Sequence, residues 1–233
     1  MSDFETEIFL DGLSELEIAE VDSNLIKGYT FNPSLFKKLE VTDYLQHCKN
    51  LVKLVKDKPL SLEVTSDTNE EIIRQANILS SLGKNVYVKI PITLTNGSSN
   101  EEIINTLVDQ KVKLNITAVF TIDQVKKIIP SIKETESIVS VFAGRLYDIG
   151  IDAKKSMQEM GSFIHENSDC KILWASPRMS FDYITAKDVK CDIITMGMDH
   201  YKKLSLIGKD PADYSLDTVK MFFKDANAAG YAF

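Results

Sequence analysis

The chain has 233 residues, 27 of them basic and 34 acidic, for a formal net charge of −7. That balance excludes the basic footprint of a nucleic-acid binder and argues against an anionic membrane surface as partner. Hydrophobic residues at 44% and charged residues at 26% are ordinary globular values, and no apolar run reaches the roughly 18–20 residues of a membrane span.

In chain order, the sequence repeats a short apolar run rich in β-branched residues, a turn, and a helical pattern. A strand over 7–12 is followed by a short connection, 14–20, and a strand over 25–31. A helix over 43–55 carries Leu45, Cys48, Leu51, Val52 and Val55 on one face, and a strand over 60–65 follows. The helix over 69–82 carries Ile72, Ile73, Ala76, Leu79 and Leu82, with Gly83 placed as its C-cap. Next come a strand over 85–92, a loop over 96–100, a helix over 101–108 and a strand over 113–120. Thr121, with Asp123 in the first turn, opens a helix over 121–129. A strand over 138–145, a helix over 152–165 and a strand over 171–176 follow. Ser180 caps a helix over 180–189, before a strand over 192–196 and a helix over 199–206. A last helix over 216–228 ends near Gly230.

Strands alternating with helices imply parallel pairing through right-handed crossovers. Eight such units of about 29 residues each approach the minimum for a (β/α)8 TIM barrel. The expected fold is therefore α/β, a single barrel domain over 1–233 with an extra C-terminal helix. A doubly wound open sheet competes, but no strand is followed by GxGxxG or GxxxxGK[ST].

Barrel chemistry sits at the C-terminal ends of strands. There the apolar runs are interrupted by Asp11, Asn32, Glu63, Lys89, Asn115, Thr117, Ser140, Arg145, Ser176 and Arg178. Lys89 lies in Val86-Tyr87-Val88-Lys89-Ile90-Pro91, where either face lacks an easy route to water. Burial favours its neutral amine, which can attack a carbonyl to give a Schiff base. Pro91, without an N–H, marks the strand end and puts Lys89 near the mouth. A snorkelling lysine is the structural alternative. Glu63 is either its proton partner or half of a buried ion pair. Asp11 reads equally as a turn residue or helix cap, and Asn32-Pro33-Ser34 as a turn opening a helix with Pro33 first. Arg145 and Arg178 are either surface residues or a pair converging on the mouth, as a phosphate requires.

Cys48, Cys170 and Cys191 show no CxxC spacing and read as free thiols of a reducing, cytoplasmic compartment. The acidic Met1-Ser2-Asp3-Phe4-Glu5 resembles neither a secretory signal nor a transit peptide. His47, His165 and His200 form no ligand pair at helical spacing, so no metal site and no Cys–His nucleophile is expected.

The strand-end segments, in order, resemble the transaldolase family, in its short single-barrel subgroup that includes fructose-6-phosphate aldolases. The matching segments are Phe9-Leu10-Asp11, Gly28-Tyr29-Thr30-Phe31-Asn32-Pro33-Ser34, Ser61-Leu62-Glu63-Val64, Val88-Lys89-Ile90-Pro91-Ile92-Thr93, Leu114-Asn115-Ile116-Thr117, Ser140-Val141-Phe142-Ala143-Gly144-Arg145 and Ala175-Ser176-Pro177-Arg178. The resemblance implies a cofactor-free transfer of a dihydroxyacetone unit between sugar phosphates, of the pentose phosphate pathway type. Lys89 matches the Schiff-base lysine, and Asp11 the carboxylate that handles the hydroxyl proton. Glu63 and Thr117 match the pair that positions water. Asn32, Asn115 and Ser140 match ketose ligands, Arg145 and Arg178 the phosphate clamp. Thr30, Phe142 and Ser176 fall in the same substrate-binding segments. Glu63 and Phe142 resemble transaldolases, where fructose-6-phosphate aldolases carry Gln and Tyr. Gly12, Phe31 and Pro177 depart from the usual Thr, Thr and aromatic residue, so a reshaped donor pocket and a redirected Arg178 are expected. An aldolase that releases dihydroxyacetone and a non-catalytic sugar-phosphate-binding barrel are the alternatives. Short relatives of this family commonly form rings of subunits, so the resemblance implies a homo-oligomeric ring, a decamer being one such form. The aromatic tail Phe222, Phe223, Tyr231 and Phe233 fits burial against a second copy or against its own barrel.

Overall fold

The computed structural model describes residues 5–21 and 24–231. The elements are β1 Glu7–Asp11, α1 Glu15–Glu20, β2 Ile26–Thr30, α2 Pro33–Lys38, α3 Tyr44–Val55, β3 Leu60–Glu63, α4 Asn69–Ser80, β4 Val86–Pro91, α5 Glu101–Asp109 and β5 Leu114–Val119. They continue with α6 Ile122–Ile132, β6 Ile138–Val141, α7 Ala143–Asp148, α8 Ala153–Asn167, β7 Lys171–Trp174, α9 Asp182–Asp188, β8 Ile193–Met196, α10 Met198–Lys203, a 3-10 turn at Leu204–Leu206 and α11 Pro211–Ala229. The eight strands close in sequence order into one parallel barrel, β8 pairing with β1. This is the expected (β/α)8 architecture, and the open sheet is excluded.

Several boundaries move for local reasons. The strand expected over 138–145 stops at Val141, and Arg145 rides on α7 instead. α4 ends at Ser80, where the Ser81 N–H bonds back to Asn77, so Gly83 is not its cap. α9 starts at Asp182 rather than at Ser180, whose hydroxyl donates to the His200 carbonyl. Thr121 does cap α6, in a capping box closed by Gln124. α11 starts five residues before the expected 216 because Asp210 caps it and Pro211 supplies a preset first turn.

Two apolar layers hold the barrel. The larger lies between strands and helices and includes Leu51, Ile72, Leu107, Ile128 and Trp174. The smaller fills the barrel itself: Phe9, Ile138, Leu173, Ala175 and Ile193, with Tyr87 and Phe142 against them. Side chains alternate across a strand, so two residues further on the chain again points inward. From Phe9, Tyr87, Ile138 and Ile193 that step reaches Asp11, Lys89, Ser140 and Thr195. An apolar floor thus carries a polar layer above it.

α7 turns away from β6 at a very close approach. A Cβ added at Gly144 would lie 1.6 Å from the Ser176 carbonyl oxygen, and the Gly144 N–H donates to Ala175 O at 3.3 Å. Gly161 in α8 differs: its added Cβ would meet only Ile172 side-chain atoms at 3.7 Å. Gly144→Ala is therefore expected to destabilise by about 1–3 kcal/mol or more in urea unfolding. Gly161→Ala should be neutral or stabilise by up to about 1 kcal/mol. Equal stability of the two variants would contradict this packing.

Candidate active site

The polar layer surrounds a narrow cavity of about 20 Å³ at the C-terminal end of the strands. Asp11, Thr30, Asn32, Lys89, Thr117, Ser140, Phe142, Ala175, Ser176 and Thr195 line it. Eight of these were expected from the sequence; Ala175 lies in a matched segment, and Thr195 was not expected.

Lys89 is 6% exposed and points into this cavity. Its amine is not isolated. It lies 3.0 Å from Glu63 Oε2 and donates to the Phe31 carbonyl at 3.0 Å. β3 and β4 pair Glu63 with Lys89 in register, which puts both groups on the inner face. The Tyr44 hydroxyl donates to the Glu63 carbonyl and anchors the end of β3. Glu63 also lines an adjoining cavity of about 240 Å³ with Tyr44, Arg74 and Gln75.

Asp11 is neither a turn residue nor a cap. Its Oδ1 accepts a 3.0 Å hydrogen bond from the Thr30 hydroxyl, which also meets the Thr195 hydroxyl at 2.6 Å. Burial raises the Asp11 carboxyl above its ordinary range; Lys89 and the Thr30 hydrogen bond oppose that rise, and Glu63 adds to it.

Thr117 is 1% exposed, and its hydroxyl has no hydrogen-bond partner among the described residues. β5 shifts register against β6 between Ile116 and Val119, and Ala118 takes φ 59° there. Such an irregularity re-aims a neighbouring side chain and stores strain beside a site. Asn115 sits off the cavity wall, donating to Ser61 Oγ at 3.0 Å and accepting from Ser140 Oγ at 2.6 Å. Asn32 opens α2, its side-chain oxygen accepting from the Leu35 N–H at 2.9 Å, as the Asn-Pro-Ser reading allowed.

The two arginines do not line the cavity. The Arg145 guanidinium lies over the Phe142 ring, 5.2 Å from its centroid. Arg178 is held by Asp148, to which its Nε donates at 2.9 Å. The Asp182 carboxylate accepts from the backbone N–H groups of Arg178 and Met179 at 2.6 and 3.2 Å. Pro177 is buried beside Ser176, which has φ 56°. One arginine is thus stacked on an aromatic ring and the other paired with a carboxylate.

The departures at positions 12 and 31 act outside the cavity. Phe31 packs against Phe36 in the helix layer and offers only its carbonyl to Lys89. Gly12 has φ 68°, and a Cβ there would lie 2.6 Å from Leu35, so its absence seats α2.

Burial pushes the thiols of Cys48, Cys170 and Cys191 up, away from thiolate chemistry. His165 pairs with Asp192 at 2.8 Å, at the opposite end of the strands. Among the described residues no cluster of three His, Cys, Asp or Glu side chains is arranged to hold a metal, and no helix is long and apolar enough to cross a membrane.

Thr195, Ser61 and Tyr44 were missed in the sequence. Thr195 carried a readable signal, a polar residue two positions after an inward-facing isoleucine. Ser61 stood in a matched segment, two positions before Glu63, without a role of its own; Tyr44 acts through a contact with another element and carried no signal.

A family model described as Transaldolase/Fructose-6-phosphate aldolase matches residues 8–232. A probable transaldolase of Thermoanaerobacter sp. (strain X514) is 33% identical over 205 residues, covering 87% of this chain and 89% of that protein. A probable transaldolase of Clostridioides difficile (strain 630) is 30% identical over 224 residues, covering 95% and 97%. Among solved structures, 2,3-dimethylmalate lyase has a TM-score of 0.62 at 9% identity, covering 97% of this chain and 84% of that one. Dihydrodipicolinate synthase from Rhodopseudomonas palustris has a TM-score of 0.57 at 14% identity, covering 97% and 81%. These two share the fold alone. By the match along nearly its whole length, the chain belongs to the transaldolase/fructose-6-phosphate aldolase family.

Proposed function

We propose that this protein is a transaldolase that carries a dihydroxyacetone unit between sugar phosphates as a Schiff base on Lys89. The observation that supports this most is the buried Lys89 amine, 3.0 Å from Glu63, in a cavity shared with Asp11 and Thr117. Transfer of a proton from Lys89 to Glu63 frees the amine lone pair. The amine attacks C2 of a ketose phosphate; the C–N bond forms as the carbonyl π bond breaks, and one amine proton passes to the oxygen to give a carbinolamine. Glu63 returns its proton to the C2 hydroxyl, which leaves as water, and an iminium remains. Asp11, made more basic by burial, takes the C4 hydroxyl proton. The C3–C4 bond then breaks, and its electron pair flows into the iminium to give an enamine. An aldose phosphate departs. A second aldose phosphate accepts the enamine carbon, Asp11 returns its proton, and water releases the product from Lys89. The unpartnered Thr117 hydroxyl suits the holding of that water. In this reading Asn32, Ser140 and Ser176 hydrogen-bond the ketose, Asn115 holds Ser140 in place behind them, and Arg145 and Arg178 take the phosphate once Arg178 leaves Asp148. The iminium is the electron sink, so the scheme calls on no metal or cofactor. Glu63 and Phe142 favour transfer over simple cleavage. Three buried free thiols suit the cytoplasm.

α11 supports a homo-oligomer. Of its 19 residues none is buried, and Leu216, Val219, Phe222 and Phe223 are exposed. Such an apolar helix face suits burial against a second copy. Phe233 lies outside the described residues.

With fructose 6-phosphate as donor, glyceraldehyde 3-phosphate is expected to form only when erythrose 4-phosphate is added. Dihydroxyacetone release at a similar rate without acceptor would instead make the protein an aldolase, and binding without turnover a non-catalytic barrel. Asp11→Asn should abolish turnover yet raise Tm at pH 7. The raised Asp11 carboxyl means that the folded state bears a cost when ionised, and this cost disappears once folded and unfolded chains are both protonated. The Tm gain should therefore shrink as the pH falls toward about 4. Light scattering after gel filtration should give a multiple of 26.2 kDa, reduced by a paired Phe222→Asp and Phe223→Asp change; a 26.2 kDa wild type would end the oligomer proposal.

A further inference from the structure

Thr30 and Thr195 stand on strands that flank β1 in the ring and do not pair with each other. Thr30 is in register with Asp11, and Thr195 with Phe9, one inward step below Asp11. Both are buried, at 2% and 5% exposure. A threonine hydroxyl has one proton to donate. Thr30 gives its proton to Asp11 Oδ1 at 3.0 Å. The 2.6 Å contact between Thr30 and Thr195 must then be donated by Thr195.

We propose that Thr195 is a positioning residue for Asp11, acting through Thr30, so that a directed chain of hydroxyls from β8 to β2 to β1 orients the carboxylate and sets its basicity. The inference rests on the transaldolase reading for its catalytic consequence, and it changes the expected part of Thr30. That hydroxyl is committed to Asp11 and Thr195 rather than to the ketose.

The chain is polarised while Asp11 is ionised: each donor strengthens the next, and the last bond is charge-assisted. When Asp11 takes the C4 hydroxyl proton, its new O–H can donate to Thr30, and Thr30 to Thr195. Both threonine hydrogens rotate, and no bond to either oxygen is made or broken. The arrangement accommodates both states of Asp11 without moving a strand. The other charged groups facing Asp11 are Lys89 on β4 and Glu63 on β3. Both are present in either state of the chain, so a change at Thr195 alone isolates its effect.

Thr195→Val keeps the shape and removes the hydroxyl. Losing the donor weakens the charge-assisted bond more than the neutral one, so the Asp11 carboxyl should titrate at higher pH. The acid limb of the kcat–pH profile should move the same way, kcat should fall about tenfold, and KM for the donor should stay within about twofold. Borohydride trapping on Lys89 should continue, because imine formation precedes the step served by Asp11. Thr195→Ser should recover most of the loss. Thr195→Ala replaces the valine variant if that does not fold. A wild-type profile in Thr195→Val overturns the proposal, and so does a loss that serine does not recover. Carbon-13 NMR of carboxyl-labelled aspartate follows Asp11 without turnover. If the wild type proves inactive, the transaldolase reading fails, and an unshifted Asp11 titration in Thr195→Val still separately overturns the hydroxyl chain.

Discussion

An ammonium and a carboxylate placed 3.0 Å apart inside a closed ring of strands form the constraint on which the rest depends. Removing such charges from water costs several kcal/mol per ion, which mutual attraction returns only with good geometry and further hydrogen bonds. Here the geometry comes from the β3–β4 register, and a further bond comes from the Phe31 carbonyl, which receives the lysine; Tyr44 holds the end of β3 through Glu63's main-chain carbonyl. An all-apolar layer at this height would pack more simply.

The layering follows from strand periodicity. One inward step separates Phe9 from Asp11, Tyr87 from Lys89, Ile138 from Ser140 and Ile193 from Thr195. The apolar members form the floor, and the polar members form the cavity wall. A one-residue slip in any strand would send its polar group into the helix layer. Register and chemistry are therefore a single requirement, and the close approach of Gly144 to Ser176 serves it by bringing the ends of β6 and β7 together.

Much of this was legible in the sequence because hydropathy reports burial. Eight apolar runs gave eight strands, and polar interruptions gave most of the cavity wall. What hydropathy does not report is hydrogen bonding over distance. β6 stops short of Arg145 because the chain turns where a glycine lets α7 dock, not because its residues become polar. Arg178 meets Asp148, thirty residues earlier, through the path of two loops. Thr30 meets Thr195, 165 residues away, only because the barrel closes. Phe31 and Gly12, which looked like changes to the donor pocket, act on the seating of α2 and the helix layer.

The central claim is covalent capture at one nitrogen. Borohydride reduction in the presence of fructose 6-phosphate, followed by peptide mass mapping, tests it directly. The account predicts a reduced sugar adduct on the peptide containing Lys89, absent from Lys89→Ala. An adduct on a different lysine, or none at all in a folded protein, would contradict it.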